Sequence, residues 1–450
     1  MLKLTALSQS ARPANLGAAR RPVRRLLLNA AARVGLQNTL LRIEAMPSDT
    51  VLVATLIILT GSGLAVLLSA SYFYGERVFD DPLRFFRRQV LWVALGVVVA
   101  AFAAAVKLRQ VRLLVPLLLA VSLPLVILTF VPGVGLRALG AQRWILVGGL
   151  SFEPSELAKL ALVLYLAHVL DRKGDQRPGS AALRGPYGRT LRIILPPMLV
   201  VGLFAALVYL QNDFSTPIFL VFLAMAMLWI AGVRLGLFAA LAVVGTPLAV
   251  MALLSKEHRV LRLIAFLEPN ADPAGSGYQV LAARDALERG GIWGTGIGRG
   301  SMKLGPLPEA HSDFIFAVAG EELGLVGVVL ILGLFAILAW RGFLIVRHHP
   351  DRFARYLAFG LTTSIVAQAI LNLAVVSSLV PATGLPLPFF SSGGSALLTT
   401  FAMCGLLLGL SRQRSSAPGM PASAPRTPAS APRAQVDVQR LGAPHRRRPR

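Results

Sequence analysis

Residues Val51–Tyr74 read VLVATLIILTGSGLAVLLSASYFY, an uninterrupted stretch with no charged side chain. A hydrocarbon core about 30 Å thick needs about 20 helical residues to cross it. This stretch is long enough, and it exceeds the apolar core of a cleaved signal peptide. Runs of the same kind recur at Val90–Val106, Leu113–Val131, Ser151–Leu170, Ile193–Leu210, Phe214–Ile230, Leu235–Leu254, Asp313–Val346, Tyr356–Leu379 and Ala396–Leu410. The 450-residue chain is 55% hydrophobic and 15% charged, with a mean hydropathy of +0.66. Ordinary soluble domains are about 45–50% apolar and about 25% charged. The fold expected is an all-α polytopic membrane protein of about ten transmembrane helices, with a large structured extracytoplasmic loop between the seventh and eighth. A soluble enzyme and a disordered chain are both excluded.

Working outward from the spans, 45 Lys and Arg against 21 Asp and Glu give a net charge of +24. The cations sit in the tails and the short inter-span loops, a pattern that points to membrane orientation and away from nucleic acid. If the tail with Arg12–Arg42 is cytoplasmic, ten spans return the Arg-rich C-terminal tail to the same side. Cytoplasmic loops then fall at Lys107–Arg112, Asp171–Arg192, Val233–Arg234 and Arg347–Arg355, all of which carry Lys or Arg. Arg77–Arg88 is an exception, an outer loop whose several Arg are partly balanced by Glu76, Asp80 and Asp81. The topology expected is a multi-pass membrane protein with both termini cytoplasmic. Three regions follow: a basic arm at 1–48, the membrane domain at 49–412, and a Pro/Ala/Arg-rich tail at 413–450 whose composition cannot bury a core. The single Cys404 excludes an intramolecular disulfide.

The candidate chemistry lies in polar islands between and within the spans. The loop Ser255–Ser312 is rich in Gly and Pro yet keeps Phe266, Tyr278, Ile292 and Trp293 as anchors, so it reads as a structured cap with a short helix between Tyr278 and Arg289. Within it, Asp272 precedes Pro273. Such an Asp is commonly a turn former; the alternative is a carboxylate at the membrane boundary that accepts a proton from a sugar hydroxyl. In the fourth span Glu153, Glu156 and Lys159 are spaced by three and share a helix face, with Arg143 just upstream. Such a cluster is either a structural ion pair or a diphosphate or sugar site. Glu321 and Glu322 enter the eighth span; Glu321 would lie about 14 Å down a helix rising about 1.5 Å per residue, so one of the two should face the interior with a partner. His311 precedes that span, and by itself it fits a capping or surface role better than a catalytic one. No His- or Asp-rich metal motif appears, and Gly294–Gly298 lacks the strand that a dinucleotide fingerprint requires. Gln211-Asn212-Asp213 forms a tight hairpin, with Asp213 capping the sixth span. Pro381–Ser395 reads as a rigid, partly re-entrant loop.

Together these islands carry a resemblance. Gly140-Ala141-Gln142-Arg143-Trp144-Ile145, Pro154-Ser155-Glu156-Leu157-Ala158-Lys159 and Asp272-Pro273-Ala274-Gly275-Ser276-Gly277-Tyr278-Gln279 resemble motifs of the SEDS family (shape, elongation, division and sporulation). So do Pro308-Glu309-Ala310-His311-Ser312-Asp313-Phe314, Gly320-Glu321-Glu322-Leu323-Gly324 and Gly384-Leu385-Pro386-Leu387-Pro388-Phe389, in the family's order over roughly Val51–Arg412. The Pro-Glu-Ala-His and Gly-Glu-Glu-Leu-Gly forms look more like the cell-division branch than the elongation branch.

The resemblance implies an inverting peptidoglycan glycosyltransferase that polymerises lipid II, assists septal wall synthesis, and works with a class B penicillin-binding protein and other divisome proteins. A lipid II flippase or an elongation-type polymerase are the rival readings. By motif position Asp272 matches the family's catalytic aspartate, and Arg143, Glu156 and Lys159 match residues of its central cavity; Glu321 and His311 join them as substrate-binding candidates. The resemblance leaves a divalent cation, Mg or Mn, open. Three departures stand out: Glu153 where Gln is usual, Asn212 where Pro is usual, and Ser392 where Tyr is usual.

Overall fold

The computed structural model describes residues 49–138, 140–147, 150–174, 186–233, 235–275, 277–305, 307 and 310–415. The basic arm, the C-terminal tail, part of the loop after the fourth span, Ser276 and the Pro308-Glu309 pair lie outside the described residues. Among the described residues ten long helices carry the chain back and forth: α1 (Thr50–Phe79), α2 (Arg84–Ala105), α3 (Leu108–Leu128), α4 (Pro154–Gly174), α5 (Pro186–Leu210), α6 (Ser215–Ile230), α7 (Leu235–Leu254), α10 (Ile315–His348), α11 (Arg352–Val376) and α12 (Gly394–Ser415). Two shorter helices, α8 (Glu257–Leu267) and α9 (Tyr278–Gly290), lie in the long loop between α7 and α10. Seven of the long helices are apolar enough over their described residues to cross a bilayer by length and composition, and 194–210 and 215–230 are shorter apolar helices. The remaining one, α4, carries Glu156 and Lys159 near its start and is charged again at its far end. The chain is a multi-pass, helical membrane protein.

Alternation of the helices gives the bundle two ends. At the proximal end, where α1 begins, Arg341 pairs with Asp49 at 2.6 Å, and Arg112 pairs with Asp171 at 3.2 Å and Asp351 at 2.9 Å. Arg112, Asp171 and Asp351 belong to connections whose cations point to the cytoplasm by sequence. The distal end holds the long loop and the 377–393 connection. It also holds a feature that the sequence reading missed: a three-stranded antiparallel sheet, β1 (Gly135–Ala138), β2 (Ala141–Val147) and β3 (Leu150–Phe152). Ser151 and Phe152, read from hydropathy as the start of the fourth span, pair with Leu146 and Ile145 instead. The helix begins at Pro154, where a missing N–H costs nothing.

The core is built around α4, α10, α11 and α12. Small residues allow close approach there: an added Cβ at Gly405 would lie 2.3 Å from the Ala100 carbonyl oxygen of α2, so α12 packs backbone to backbone against α2. By contrast α7 buries none of its residues. The eighth span is not one straight rod. Gly324 breaks α10 at φ +65°, and the loop from Gly291 to Ser301 fills the break, with Leu325 N donating to Gly291 O at 2.9 Å and Thr295 N to Glu321 O at 2.9 Å.

Candidate active site

The sheet positions the first functional cation. The β1–β2 register pairs Leu136 with Trp144 and Arg137 with Gln142, so Arg143 is the extra residue of a bulge. Bulges re-aim side chains, and Arg143 is turned onto the α5–α6 hairpin. There its guanidinium lies 3.4 Å from Asp213 Oδ2 and donates to Asn212 O at 3.4 Å. Asp213 is itself held by the first turn of α6, accepting from Ser215 N at 3.0 Å, Thr216 N at 3.1 Å and Thr216 Oγ1 at 2.7 Å. The capping role expected of Asp213 is therefore present, and the cap also anchors Arg143.

Asn212 is the hub of the hairpin. It adopts φ +66°, a left-handed conformation that proline, fixed near −65°, cannot take. Its Nδ2 donates to Gly140 O at 2.8 Å and its Oδ1 accepts from Arg259 at 3.2 Å. The departure from the usual Pro thus has a structural content: the side chain ties the sheet, the hairpin and α8 together.

From α8 come three groups that the sequence reading did not single out. Arg259 is buried; its guanidinium donates to Ala252 O at 2.7 Å and Tyr209 OH at 3.1 Å and sits over the Tyr209 and Phe214 rings at 4.8 and 5.2 Å. His258 and Arg262 open onto a cavity of about 690 Å³. Its rim also holds Arg143, Asn212 and Thr383, while Phe214, Ile218, Phe219 and Phe222 of α6, with Ile370 and Leu371 of α11, make an apolar wall. Though open to the cavity, Arg262 is ringed by protein: desolvation pushes its pKa down, Asp313 opposes this, and Arg143 adds to it. The pKa of His258 is lowered by desolvation first, then by Arg259, Arg262 and Lys256. A signal for these residues was present in the sequence: Arg259 and Arg262 are three apart, and Leu261, Ile264 and Leu267 remain exposed, as on a helix lying in a membrane interface.

The other sequence candidates occupy different places. Lys159 is buried behind the cavity wall, bonded to Glu156 Oε1 at 2.8 Å and Gln368 Oε1 at 2.8 Å, and 5.6 Å from the centre of the Phe219 ring. Gln368 in turn donates to Pro386 O at 2.9 Å, and Asn372 to Leu385 O and Asp313 O, each at 2.9 Å. The pair therefore braces α4, α11 and the 377–393 connection beside the cavity. Asp272 is exposed at the end of the 3₁₀ turn Pro269–Ala271, five residues past α8, with its carbonyl accepting from Gly277 N at 3.0 Å. A Cβ at Gly275 would meet its Oδ2 at 2.2 Å, so the Gly belongs to the shape of that turn. It is not among the residues that line the cavity.

Glu321 and His311 lie apart from that cavity. Glu321 accepts from Ser301 N at 2.8 Å, Ser301 Oγ at 3.1 Å and Met302 N at 3.2 Å. Its neighbour Glu322 takes Lys303 Nζ at 2.5 Å, Ser69 Oγ at 2.6 Å and Gly298 N at 3.1 Å. Both carboxylates face the interior with partners, and those partners belong to α1 and the Gly-rich loop. The ring of His311 stacks on Tyr74 at 4.8 Å and lies 4.7 Å from Phe85, while its carbonyl accepts from Ser392 N at 3.0 Å. Among the described residues no three His, Cys, Asp or Glu side chains come together as a cage for a metal ion.

A cationic rim over an apolar wall suits an amphiphile with an anionic head, and comparison with known proteins agrees in kind. A family model described as cell cycle protein, covering FtsW, RodA and SpoVE, matches residues 49–416. The chain belongs to this family. It is the SEDS family of the motifs above, and the FtsW-like character follows from its relatives. A probable peptidoglycan glycosyltransferase FtsW from Trichlorobacter lovleyi is 37% identical over 371 residues, 82% of this chain and 94% of that protein. Among solved structures, a chain from work on the structural coordination of polymerization and crosslinking by a peptidoglycan synthase complex superposes with a TM-score of 0.63 at 30% identity, covering 82% of this chain and 99% of that one. The rod shape determining protein RodA of Thermus thermophilus gives a TM-score of 0.56 at 28% identity over 83% and 99% of the two chains.

Proposed function

We propose that this SEDS protein is a peptidoglycan glycosyltransferase that polymerises lipid II into β-1,4 glycan strands for the division septum. The observation that carries the reading is the Arg-rimmed, apolar-walled cavity lined in part by α8, the helix that ends five residues before Asp272, in a chain whose relatives are named for this activity. Its place is the bacterial cytoplasmic membrane, with both termini cytoplasmic and the distal end outward. A class B penicillin-binding protein and other divisome proteins are its expected partners.

In this reading the polyprenyl tails lie along the apolar wall and the headgroups meet beneath the α8–α9 loop. Asp272 takes the proton of the acceptor's 4-hydroxyl as its oxygen attacks the donor's anomeric carbon. The bond from that carbon to the diphosphate breaks, and the configuration inverts from α to β. Diphosphate is a good leaving group, so the protein's main tasks are positioning and stabilising charge. Arg143 and Arg262 face the diphosphate, and Glu156–Lys159 positions the wall behind it. Among the described residues no group of His, Cys, Asp and Glu side chains makes a cage for Mg or Mn.

The test is glycan polymer formation by the purified chain with lipid II and a class B transpeptidase, run beside vesicles loaded with labelled lipid II. Polymer in the first supports the enzyme. Translocation in the second with no polymer in the first would replace it by a flippase. The flippase reading would use Glu156, Lys159 and Glu321 as one polar path, yet Glu321 shares no hydrogen-bond partner with the other two.

A further inference from the structure

On the other side of Asn212 and Arg259 lies a second cavity, of about 290 Å³, lined by Arg137, Gly140, Gln142, Tyr209, Lys256 and neighbouring hairpin residues. Only Asn212 and Arg259 line both this cavity and the larger one, so those two side chains form the partition. The lining contains three cations and no carboxylate. Among the described residues Arg259 bonds to neutral acceptors, Tyr209, Ala252, Ser255 and Asn212, and forms no ion pair. Arg137 and Lys256 are exposed and form no ion pair among the described residues. Lys256 also stands at the N-cap of α8, the positive end of the helix dipole. In the larger cavity, by contrast, Arg143 is matched by Asp213. Like charges gathered around a concavity without a counter-ion create a field that attracts an anion.

We propose that this smaller cavity is a second anion subsite, built for a phosphate or diphosphate group and separated from the main cavity by the Asn212–Arg259 partition. Arg137 and Lys256 are its free arms, and Arg259 supplies fixed charge. Its volume suits a diphosphate with a few waters rather than a whole saccharide-peptide head. A polymerase that joins two lipid-linked saccharides must hold two diphosphates at once, and two cavities sharing one wall would keep them adjacent but distinct. Only this choice of natural ligand rests on the polymerase reading; the anion site itself does not.

The experiment uses the full chain in phosphatidylcholine nanodiscs, titrated with inorganic diphosphate at low and high salt. Arg137→Ala with Lys256→Ala should weaken one class of diphosphate binding by at least about tenfold per side chain removed, the factor for a charge-assisted hydrogen bond. The same class should weaken with salt, survive Arg262→Ala, and be largely restored by Arg137→Lys in place of Arg137→Ala. Both arms are exposed, so the variants keep the fold. Competition by polyprenyl diphosphate would assign the site to a second substrate, and competition by phosphatidylglycerol to a bilayer headgroup; either supports the subsite. Unchanged diphosphate binding in the double variant would overturn it, whether or not the chain polymerises lipid II.

Discussion

Among the described residues two buried lysine–carboxylate clusters look alike in sequence and differ in what surrounds them. Glu156 and Lys159 are bonded through side chains alone, and Lys159 lies behind the Phe219 ring that faces the main cavity. Glu321 and Glu322 are instead filled by backbone amides of Gly298, Ser301 and Met302 together with Lys303 and Ser69. The first cluster stiffens the wall of a site. The second fastens a loop to α1 and α10. A buried charge inside a membrane span therefore does not mark chemistry by itself; its distance from a cavity, and whether its lone pairs are already taken, decide what it does.

Breaking the fastening cluster should produce the largest effect. Lys303→Met leaves Glu322 buried without its cation, and loss of one partner of a buried pair costs about 3–5 kcal/mol. Unfolding in detergent should show that loss, and Lys303→Met with Glu322→Leu should recover much of it; an unchanged single variant would show that the pair does not hold the loop. At the site cluster the expectation shifts from stability to rate. Arg262→Ala and Arg143→Ala should each lower polymerisation about tenfold to a hundredfold, the worth of one charge-assisted bond, with little change in unfolding for Arg262→Ala. Equal activity would remove the cationic rim from the reaction. The smallest effect concerns His258, whose pKa is held below its ordinary 6.5 by desolvation and neighbouring cations. The folded chain then binds this proton less tightly than the unfolded one, so its contribution to stability is intact above pH 6.5 and fades as pH falls through that range. Histidine NMR should place its midpoint below 6.5, and filling the cavity with diphosphate should raise it.

Much of the fold was legible because a bilayer imposes a length and a composition that few other environments do. All ten apolar runs correspond to helices, and the short helix read between Tyr278 and Arg289 is α9. What stayed hidden was short or set by tertiary contact. The β1–β3 sheet consists of strands of four, seven and three residues, and the seven of β2, Ala-Gln-Arg-Trp-Ile-Leu-Val, do not alternate apolar with polar. The Gly-rich stretch 290–300 looked like punctuation, yet its glycines let the backbone close on α10: a Cβ at Gly294 would lie 2.2 Å from Glu322 O. Of the residues that the motifs single out, Arg143 lines the cavity, while Glu156 and Lys159 lie behind its wall. Arg259 and Arg262 show in the sequence only as two cations three apart; the folded position of α8 brings that face over the hairpin.

The most direct test of the polymerase reading is the rate of glycan formation when Asp272 is changed to Asn in the purified chain with its transpeptidase and lipid II. As general base, Asp272 predicts a fall of about 10²–10⁴-fold with lipid II binding and unfolding behaviour preserved. Polymer made by Asp272→Asn at the wild-type rate would contradict the assignment.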